Sequence, residues 1–138
     1  MNEEWVIKKP EYGDHIRVDR QFYRHHGIYA SDDEVYAFQA PEGMEVSSEN
    51  AVVLVESLAD FLKGGTLEVR EFSEEEKARK RSPLEIVNHA RSELGNKGYN
   101  LFSNNCEHFA NRCVFGESHS SQVDQGKELL NKLFGGFF

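Results

Sequence analysis

Patterns typical of strands and patterns typical of helices occupy separate parts of this chain. Before Phe72, short stretches alternate polar with apolar residues or run apolar between turn signals. The predicted strands cover 15–18, 27–30, 34–38, 51–55 and 66–72. Strands first and helices after predict an α+β fold, with an antiparallel sheet packed against helices.

The helix predictions depend mainly on capping residues. Ser57 caps a helical turn to Leu62, and Ser73 with Glu76 fits a capping box before a charged segment that reads as a solvated helix or a loop. Ser82, Pro83 and Glu85 predict a stronger start. The helix that begins there has a mostly apolar stripe of Leu84, Val87, Ala90, Arg91 and Leu94, and it is predicted to end at Gly95. A last helix is predicted from Asn105 to about Val114, with Gly116 as its stop.

The 138 residues predict a single domain with a core over about 12–116. Residues 117–138 are predicted to form a linker and a short amphipathic C-terminal segment. Such a segment more commonly docks on the core of its own protein, and the alternative is that it contacts a membrane surface. No apolar run approaches the roughly 20 residues that span a bilayer, and the first residues lack a secretory pattern. The net charge of −8 argues against nucleic acid and against general attraction to anionic lipid. We therefore expect a cytoplasmic protein, peripheral at a membrane at most.

Two cysteines, Cys106 and Cys113, fall on one face of the last helix. Seven residues of helix separate them by roughly 10 Å, too far for a disulfide, which fits a reducing compartment. Core filling is an alternative for both cysteines, and it is the favoured interpretation for Cys113. However, Asn105 places Cys106 in the first turn, where backbone N–H groups and the helix dipole favour a thiolate and can hold an oxyanion. We predict that Cys106 is functional and that Cys113 is packing.

A base for Cys106 has to come from elsewhere in the chain. His108 lies about 200° around the helix from Cys106, so a structural role is predicted for it. The spacing of the cysteine and histidine residues fits no known zinc-binding pattern, and neither a metal nor a cofactor is predicted. His25 and His26 face opposite ways in their strand. A three-residue loop over 31–33 would put His25 on the face of Ala37, diagonally about 7–8 Å away.

Two segments together resemble a known family: Tyr23-Arg24-His25-His26-Gly27-Ile28-Tyr29 and Asn105-Cys106-Glu107-His108-Phe109. They are similar to the lecithin:retinol acyltransferase family, in particular its bacterial members. That family belongs to the circularly permuted, papain-like group of the NlpC/P60 peptidases. The resemblance runs from about residue 12 to about 116. It implies that Cys106 is the nucleophile, that His25 is its general base and that His26 shapes the pocket, with Tyr23 and Asn105 in support. It also implies a phospholipid or other acyl-lipid substrate, and so a role in lipid metabolism.

The sequence departs from the family at one catalytic position. Relatives carry a second histidine twelve positions after the first, and here that count from His25 reaches Ala37. Alanine cannot orient an imidazole. Three explanations stay open: a weakened or inactive protein, substitution by Gln39 or an asparagine near the helix start, or an engineered truncation.

The leading hypothesis is a thiol acyltransferase or phospholipase A-type hydrolase that acts on lipid esters through a thioester on Cys106. Its activity would be reduced or abolished if nothing replaces the residue missing at Ala37. One alternative is a non-catalytic binding module with the same fold. Another is a peptidase or amidase of the NlpC/P60 type, against which the lack of a secretion signal counts.

Overall fold

The computed structural model describes residues 3–20, 24–40, 50–100 and 105–116. Its strands are β1 (Glu4–Val6), β2 (His15–Asp19), β3 (Arg24–Ser31), β4 (Glu34–Gln39), β5 (Val52–Glu56) and β6 (Glu68–Glu71). Its helices are α1 (Leu58–Leu62), α2 (Glu74–Arg79), α3 (Pro83–Ser92) and α4 (Cys106–Phe115). The predicted α+β class is confirmed. The predicted segment 117–138 and Tyr23 lie outside the described residues.

All six strands belong to one antiparallel sheet, ordered β1-β6-β2-β3-β4-β5. Neighbours in the centre of the sheet are sequence neighbours, but β6 returns from the middle of the chain to lie between β1 and β2. β1 was not predicted. It pairs Trp5 with Arg70, and three residues are too few to show an alternating pattern.

The sheet separates two apolar clusters. One face packs against α3 and α4, and the other against α1. The first cluster includes Ile28, Tyr36, Phe38, Ile86, Val87, Ala90, Cys106, Phe109, Ala110, Cys113 and Val114. The second includes Ile16, Val18, Tyr29, Val35, Ala37, Phe61 and Val69. Because side chains alternate along a strand, adjacent residues of β3 and β4 belong to different clusters.

The hairpin of β3 and β4 differs from the prediction in its loop but not in its register. Ser31 pairs with Glu34, so only Asp32 and Asp33 form the loop, and the predicted three-residue loop is wrong. A bulge at Ala30 then shifts the pairing to Tyr29 with Val35. The extra residue restores the register that a three-residue loop would give. The prediction that His25 and Ala37 share a face is therefore confirmed.

The helix starts follow the sequence closely. Capping boxes form at Ser73 with Glu76 and at Ser82 with Glu85, so the charged segment after Ser73 is indeed a helix. The predicted apolar stripe of α3 is wrong in part, because Leu84 is 60% exposed and Leu94 43% exposed. The buried face is formed by Ile86, Val87 and Ala90. Leu84 lies roughly 110° from the centre of that face, and Leu94 falls beyond the end of the helix.

Candidate active site

Cys106 is the first residue of α4, and its helix start is tightly capped. The Oδ1 atom of Asn105 accepts the N–H groups of Glu107 (2.9 Å) and His108 (3.0 Å). In return, Nδ1 of His108 accepts the N–H of Asn105 at 3.0 Å, which completes a capping box. The structural role predicted for His108 is confirmed. Its ring is buried at the cap.

The Cys106 thiol lies against the main chain of β3. Its Sγ accepts the N–H of His26 at 3.5 Å and lies 3.6 Å from the carbonyl oxygen of Arg24. These two groups flank His25 on either side. Folding therefore brings together the two sequence motifs that carry the predicted nucleophile and the predicted base.

The sulfur occupies a gap between β3 and β4. The main-chain N–H and C=O groups of Tyr29 bond to Asp14 and Gly13 on the β2 side. These groups point to opposite sides in successive residues of a strand, so those of His26, three residues away, point toward β4. In the described residues, the β3–β4 pairs end at Ile28 and Tyr36, although β4 continues to Gln39 along β5. Cys106 thus takes the place at which a β4 residue would pair with His26.

His25 lies on the α1 face of β3, with its imidazole stacked on Phe61. The ring centroids are 4.7 Å apart and the planes 28° from parallel. Gly27 makes room for this contact, because a Cβ there would lie 2.8 Å from Cε2 of Phe61. Burial, assisted by the charge of Arg20, lowers the pKa of His25 to about 3. His25 is therefore a neutral imidazole at neutral pH, the form that a general base requires.

His26 lies on the opposite face and belongs to a buried hydrogen-bonded chain. Its Nδ1 is 2.8 Å from Nε2 of His15, and Nδ1 of His15 is 3.3 Å from Nη1 of Arg70. Arg70 can only donate, so His15 accepts at Nδ1 and donates from Nε2. His26 then accepts at Nδ1 and carries its own proton on Nε2. With its one lone pair used, neutral His26 cannot take a proton from Cys106.

The same chain continues into the helices. Arg70 donates to Oδ1 of Asn111 at 2.8 Å and to Oε2 of Glu76 at 2.7 Å. Trp5 covers both histidine rings edge-on, with centroids 4.9 Å from His15 and 5.4 Å from His26. The sequence analysis did not identify His15 as part of this cluster. The sequence feature that could have revealed this contact is the pairing of β2 with β3, because that pairing puts His15 and His26 on one face of the sheet.

Burial changes the protonation state expected for Cys106. It raises the pKa of the thiol to about 11, the His26 N–H lowers that pKa in part, and the charge of Glu107 raises it further. The predicted tendency toward a thiolate is therefore wrong for this structure. Burial is the reason, because it outweighs the N–H groups of His26, Cys106 and Glu107, each of which lowers the pKa of the thiol.

The remaining predicted positions are Ala37 and Gln39 on β4. Ala37 is fully buried in the cluster around Phe61. Gln39 ends the strand, and its Nε2 atom is buried without a hydrogen-bond partner. Cys113 is buried in the core, and both cysteines are free.

Within the described ranges, no group of three or more His, Cys, Asp or Glu side chains is placed to hold a metal ion. None of the helices described there is both long and apolar enough to cross a membrane.

Known proteins resemble this chain over most of its length. The family model described as lecithin retinol acyltransferase matches residues 8–119. Phospholipase A and acyltransferase 3 of Homo sapiens is 33% identical over 130 residues, covering 85% of this chain and 78% of the relative. Phospholipase A and acyltransferase 4 of Homo sapiens is 30% identical over 131 residues, covering 87% and 79%. Lecithin retinol acyltransferase of Rattus norvegicus is 26% identical over 141 residues, covering 88% of this chain but only 61% of the relative.

Proposed function

The chain belongs to the lecithin retinol acyltransferase family, and we propose that it is a cysteine-dependent acyltransferase or phospholipase A-type hydrolase acting on lipid esters. The observation that carries this proposal is the position of Cys106. Its sulfur contacts the peptide groups on both sides of His25, at 3.5 Å and 3.6 Å. The names of the relatives supply the class of reaction, phospholipase and acyltransferase.

The protonation states define how the first step runs. Both the thiol and the His25 imidazole are neutral at pH 7, because burial raises the pKa of Cys106 to about 11 and lowers that of His25 to about 3. His25 takes the thiol proton as Sγ attacks the ester carbonyl, and the carbonyl oxygen becomes an oxyanion. The oxyanion then collapses, the carbon–oxygen bond to the alcohol breaks, and His25 returns the proton to that oxygen. The product is a thioester on Cys106.

The second step reverses the roles. An amine, an alcohol or water attacks the thioester carbonyl while His25 accepts its proton. The bond from carbon to sulfur breaks, and the sulfur regains the proton from His25. With water as acceptor the protein is a hydrolase, and with an amine or alcohol it is a transferase.

We further propose that Phe61 compensates in part for Ala37. In relatives a histidine at this position would hold the base by a hydrogen bond. Here the imidazole of the base stacks on a fully buried ring, in a space that Gly27 leaves open. The stacking fixes the plane of the imidazole, but burial disfavours its charged form, so we expect slow turnover.

The decisive experiment is mass spectrometry after incubation with phosphatidylcholine vesicles. We expect an acyl adduct on the peptide that contains Cys106, removed by hydroxylamine, and faster adduct formation in Ala37→His. Cys106→Ser serves as the control, and Cys113→Ser should still be labelled. If neither the original chain nor Ala37→His forms an adduct or releases fatty acid, the protein is not an acyl-transfer enzyme. In that case the protein is better explained as a non-catalytic binding module. Ala37 and the raised pKa of the Cys106 thiol are both compatible with that role. The same vesicles test peripheral membrane contact by co-sedimentation.

A further inference from the structure

A chain of buried side chains joins α4 to β3, in addition to the contact at the sulfur. Arg70 on β6 donates to Oδ1 of Asn111 at 2.8 Å, and Asn111 lies farther along the helix that begins at Cys106. Nη1 of Arg70 is 3.3 Å from Nδ1 of His15, and Nε2 of His15 is 2.8 Å from Nδ1 of His26 on β3. The N–H of His26 in turn reaches the Cys106 sulfur. The contacts therefore form a closed ring, and His15 is the link between Arg70 and β3.

The main chain of His26 has little else to hold it on the side of the thiol. β2 pairs with it through Arg17, but the described pairs between β3 and β4 end at Ile28. The residue between them, Gly27, has no side chain to pack, and glycine inside a strand weakens the strand. The buried ring of His26 is therefore the group that anchors this peptide on the α4 face of the sheet.

His15 is suited to hold that ring in one place. It is fully buried, and Trp5 covers its ring and that of His26 edge-on. Because Arg70 can only donate, the Nε2–H of His15 is left to donate to His26. Burial lowers the pKa of His15 well below its usual value, so the ring stays neutral and this direction of donation is kept at neutral pH. Burying two imidazoles costs free energy that apolar side chains would not, but a bonded polar chain fixes a single geometry.

We propose that His15 is a positioning residue for acyl transfer, which holds the His26 N–H against the Cys106 sulfur by donating a hydrogen bond to the His26 ring. This inference rests on the proposed function. The contact bears on reactivity, because burial raises the pKa of the Cys106 thiol and the His26 N–H opposes that rise. If the ring is not held, the N–H moves off the sulfur and less negative charge can develop there. Attack on the ester carbonyl then becomes slower.

Three substitutions of His15 separate this role from core filling. His15→Gln can still donate to His26 and accept from Arg70, His15→Asn is too short to reach His26 but can still accept from Arg70, and His15→Leu does neither. We expect His15→Asn and His15→Leu to slow both thioester formation with phosphatidylcholine and alkylation of Cys106 by iodoacetamide at pH 8. The expected factor is about three- to tenfold, the effect of one ordinary hydrogen bond. His15→Gln should stay within about twofold of the original rates.

The direction of the change in alkylation distinguishes positioning from a loosened core. A variant that only destabilises the protein opens more often and exposes the buried thiol, so it is alkylated faster. Loss of the N–H contact slows alkylation instead. His89→Gln, in α3, is the matched control for the loss of an imidazole and should change neither rate. Thermal unfolding of each variant confirms that it is folded.

A double substitution tests whether His15 acts through His26. In His26→Phe no ring nitrogen remains to accept the hydrogen bond, so the addition of His15→Leu should slow alkylation no further. A further slowing as large as in the original chain would show that His15 acts by another route, and the proposal would be wrong.

The outcomes also separate this proposal from the proposed function. If the original chain forms no thioester, the proposed function fails, while the alkylation rates still show whether His15 positions the sulfur. If the original chain is acylated, and folded His15→Leu is acylated and alkylated as fast or faster, the buried chain is structural only and the proposed function stands. Equal slowing in His15→Gln and His15→Asn would also exclude the donor role, because the glutamine keeps the donor.

Discussion

The Nδ1 atom of His26 lies 2.8 Å from Nε2 of His15, so the imidazole next to the predicted base is committed to a buried hydrogen bond. This contact separates two neighbouring histidines that look interchangeable in sequence. His25 stacks on Phe61 on one face of the sheet, and His26 joins His15 and Arg70 on the other.

Substitution of the two histidines should therefore give different defects. His25→Ala should lower the rate of thioester formation by about 10²–10⁴-fold, the usual contribution of a general base. His26→Phe should leave that rate within about tenfold but lower the free energy of unfolding by about 1–3 kcal/mol, because the His15 donor loses its partner. The acylation rate and urea unfolding of each variant, measured at pH 7, check both statements. Equal losses of rate in the two folded variants would contradict the assignment of roles.

The stacking of His25 on Phe61 predicts the effect of Gly27→Ala. The added Cβ would lie 2.8 Å from Cε2 of Phe61 and 3.0 Å from the carbonyl oxygen of Tyr36. We expect a loss of about 1–3 kcal/mol in the free energy of unfolding from overpacking, together with slower acylation because the ring is displaced. Gly64→Asn is the control, since its φ of +80° suits asparagine and no atom lies within 4 Å of the added Cβ. A Gly27→Ala variant as stable and as active as the original would show that the close contact does not matter.

Reactivity of the thiol should follow its raised pKa. Burial raises the pKa of Cys106 to about 11, so alkylation by iodoacetamide should accelerate by about tenfold per pH unit between pH 7 and 10, without a plateau. Peptide mapping separates Cys106 from Cys113, whose pKa burial also raises. A plateau below pH 8 would mean that the resting sulfur is a thiolate and that the first step needs no general base.

Three buried histidines should make the protein sensitive to acid. Burial lowers the pKa of His25 to about 3, that of His26 to about 4 and that of His15 well below its usual value. In the unfolded chain each titrates near 6.5, so below that pH the unfolded state binds protons that the folded state cannot. The free energy of unfolding should fall as pH drops from about 6.5 to about 4, by up to about 4 kcal/mol per pH unit for the three groups together.

Two carboxyl groups, Glu56 and Asp14, work against this trend, because burial raises the pKa of each. Burial, with the charge of Asp60, raises the pKa of Glu56 to about 7, so its protonation between pH 7 and 4.5 favours the folded state. These two groups do not cancel the three histidines, because four other carboxyls, Glu34, Glu76, Glu85 and Glu93, have lowered pKa values and add to the loss of stability in acid. Urea midpoints measured at pH 7, 5.5 and 4.5 test the prediction, and midpoints that stay constant would show that the histidines are not held neutral.

Local features of the sequence predicted the local features of the structure. Ser73, Ser82 and Asn105 each begin a helix as their capping patterns indicate, because capping involves residues within one turn. The register of the hairpin was also within reach, since β3 and β4 are adjacent in sequence. The bulge at Ala30 was not, because it depends on how the strands twist together.

The features that the sequence did not predict depend on contacts between distant parts of the chain. Trp5 reaches His15 and His26 only because β1 pairs with β6, more than sixty residues later. The state of the Cys106 thiol depends in the same way on burial against β3. A pattern around Cys106 indicates its place in a helix, but only the fold determines how much water reaches the sulfur.

The bond between the His26 N–H and the Cys106 sulfur also makes the backbone a sensor of the thiol. When the sulfur carries an acyl group, its electron density is drawn toward the carbonyl and it becomes a poorer acceptor for that N–H. The amide of His26 then loses its partner in the gap between β3 and β4, where no β4 residue replaces it. Its NMR shift and its hydrogen exchange should therefore report, without any label, what fraction of the protein is acylated during turnover.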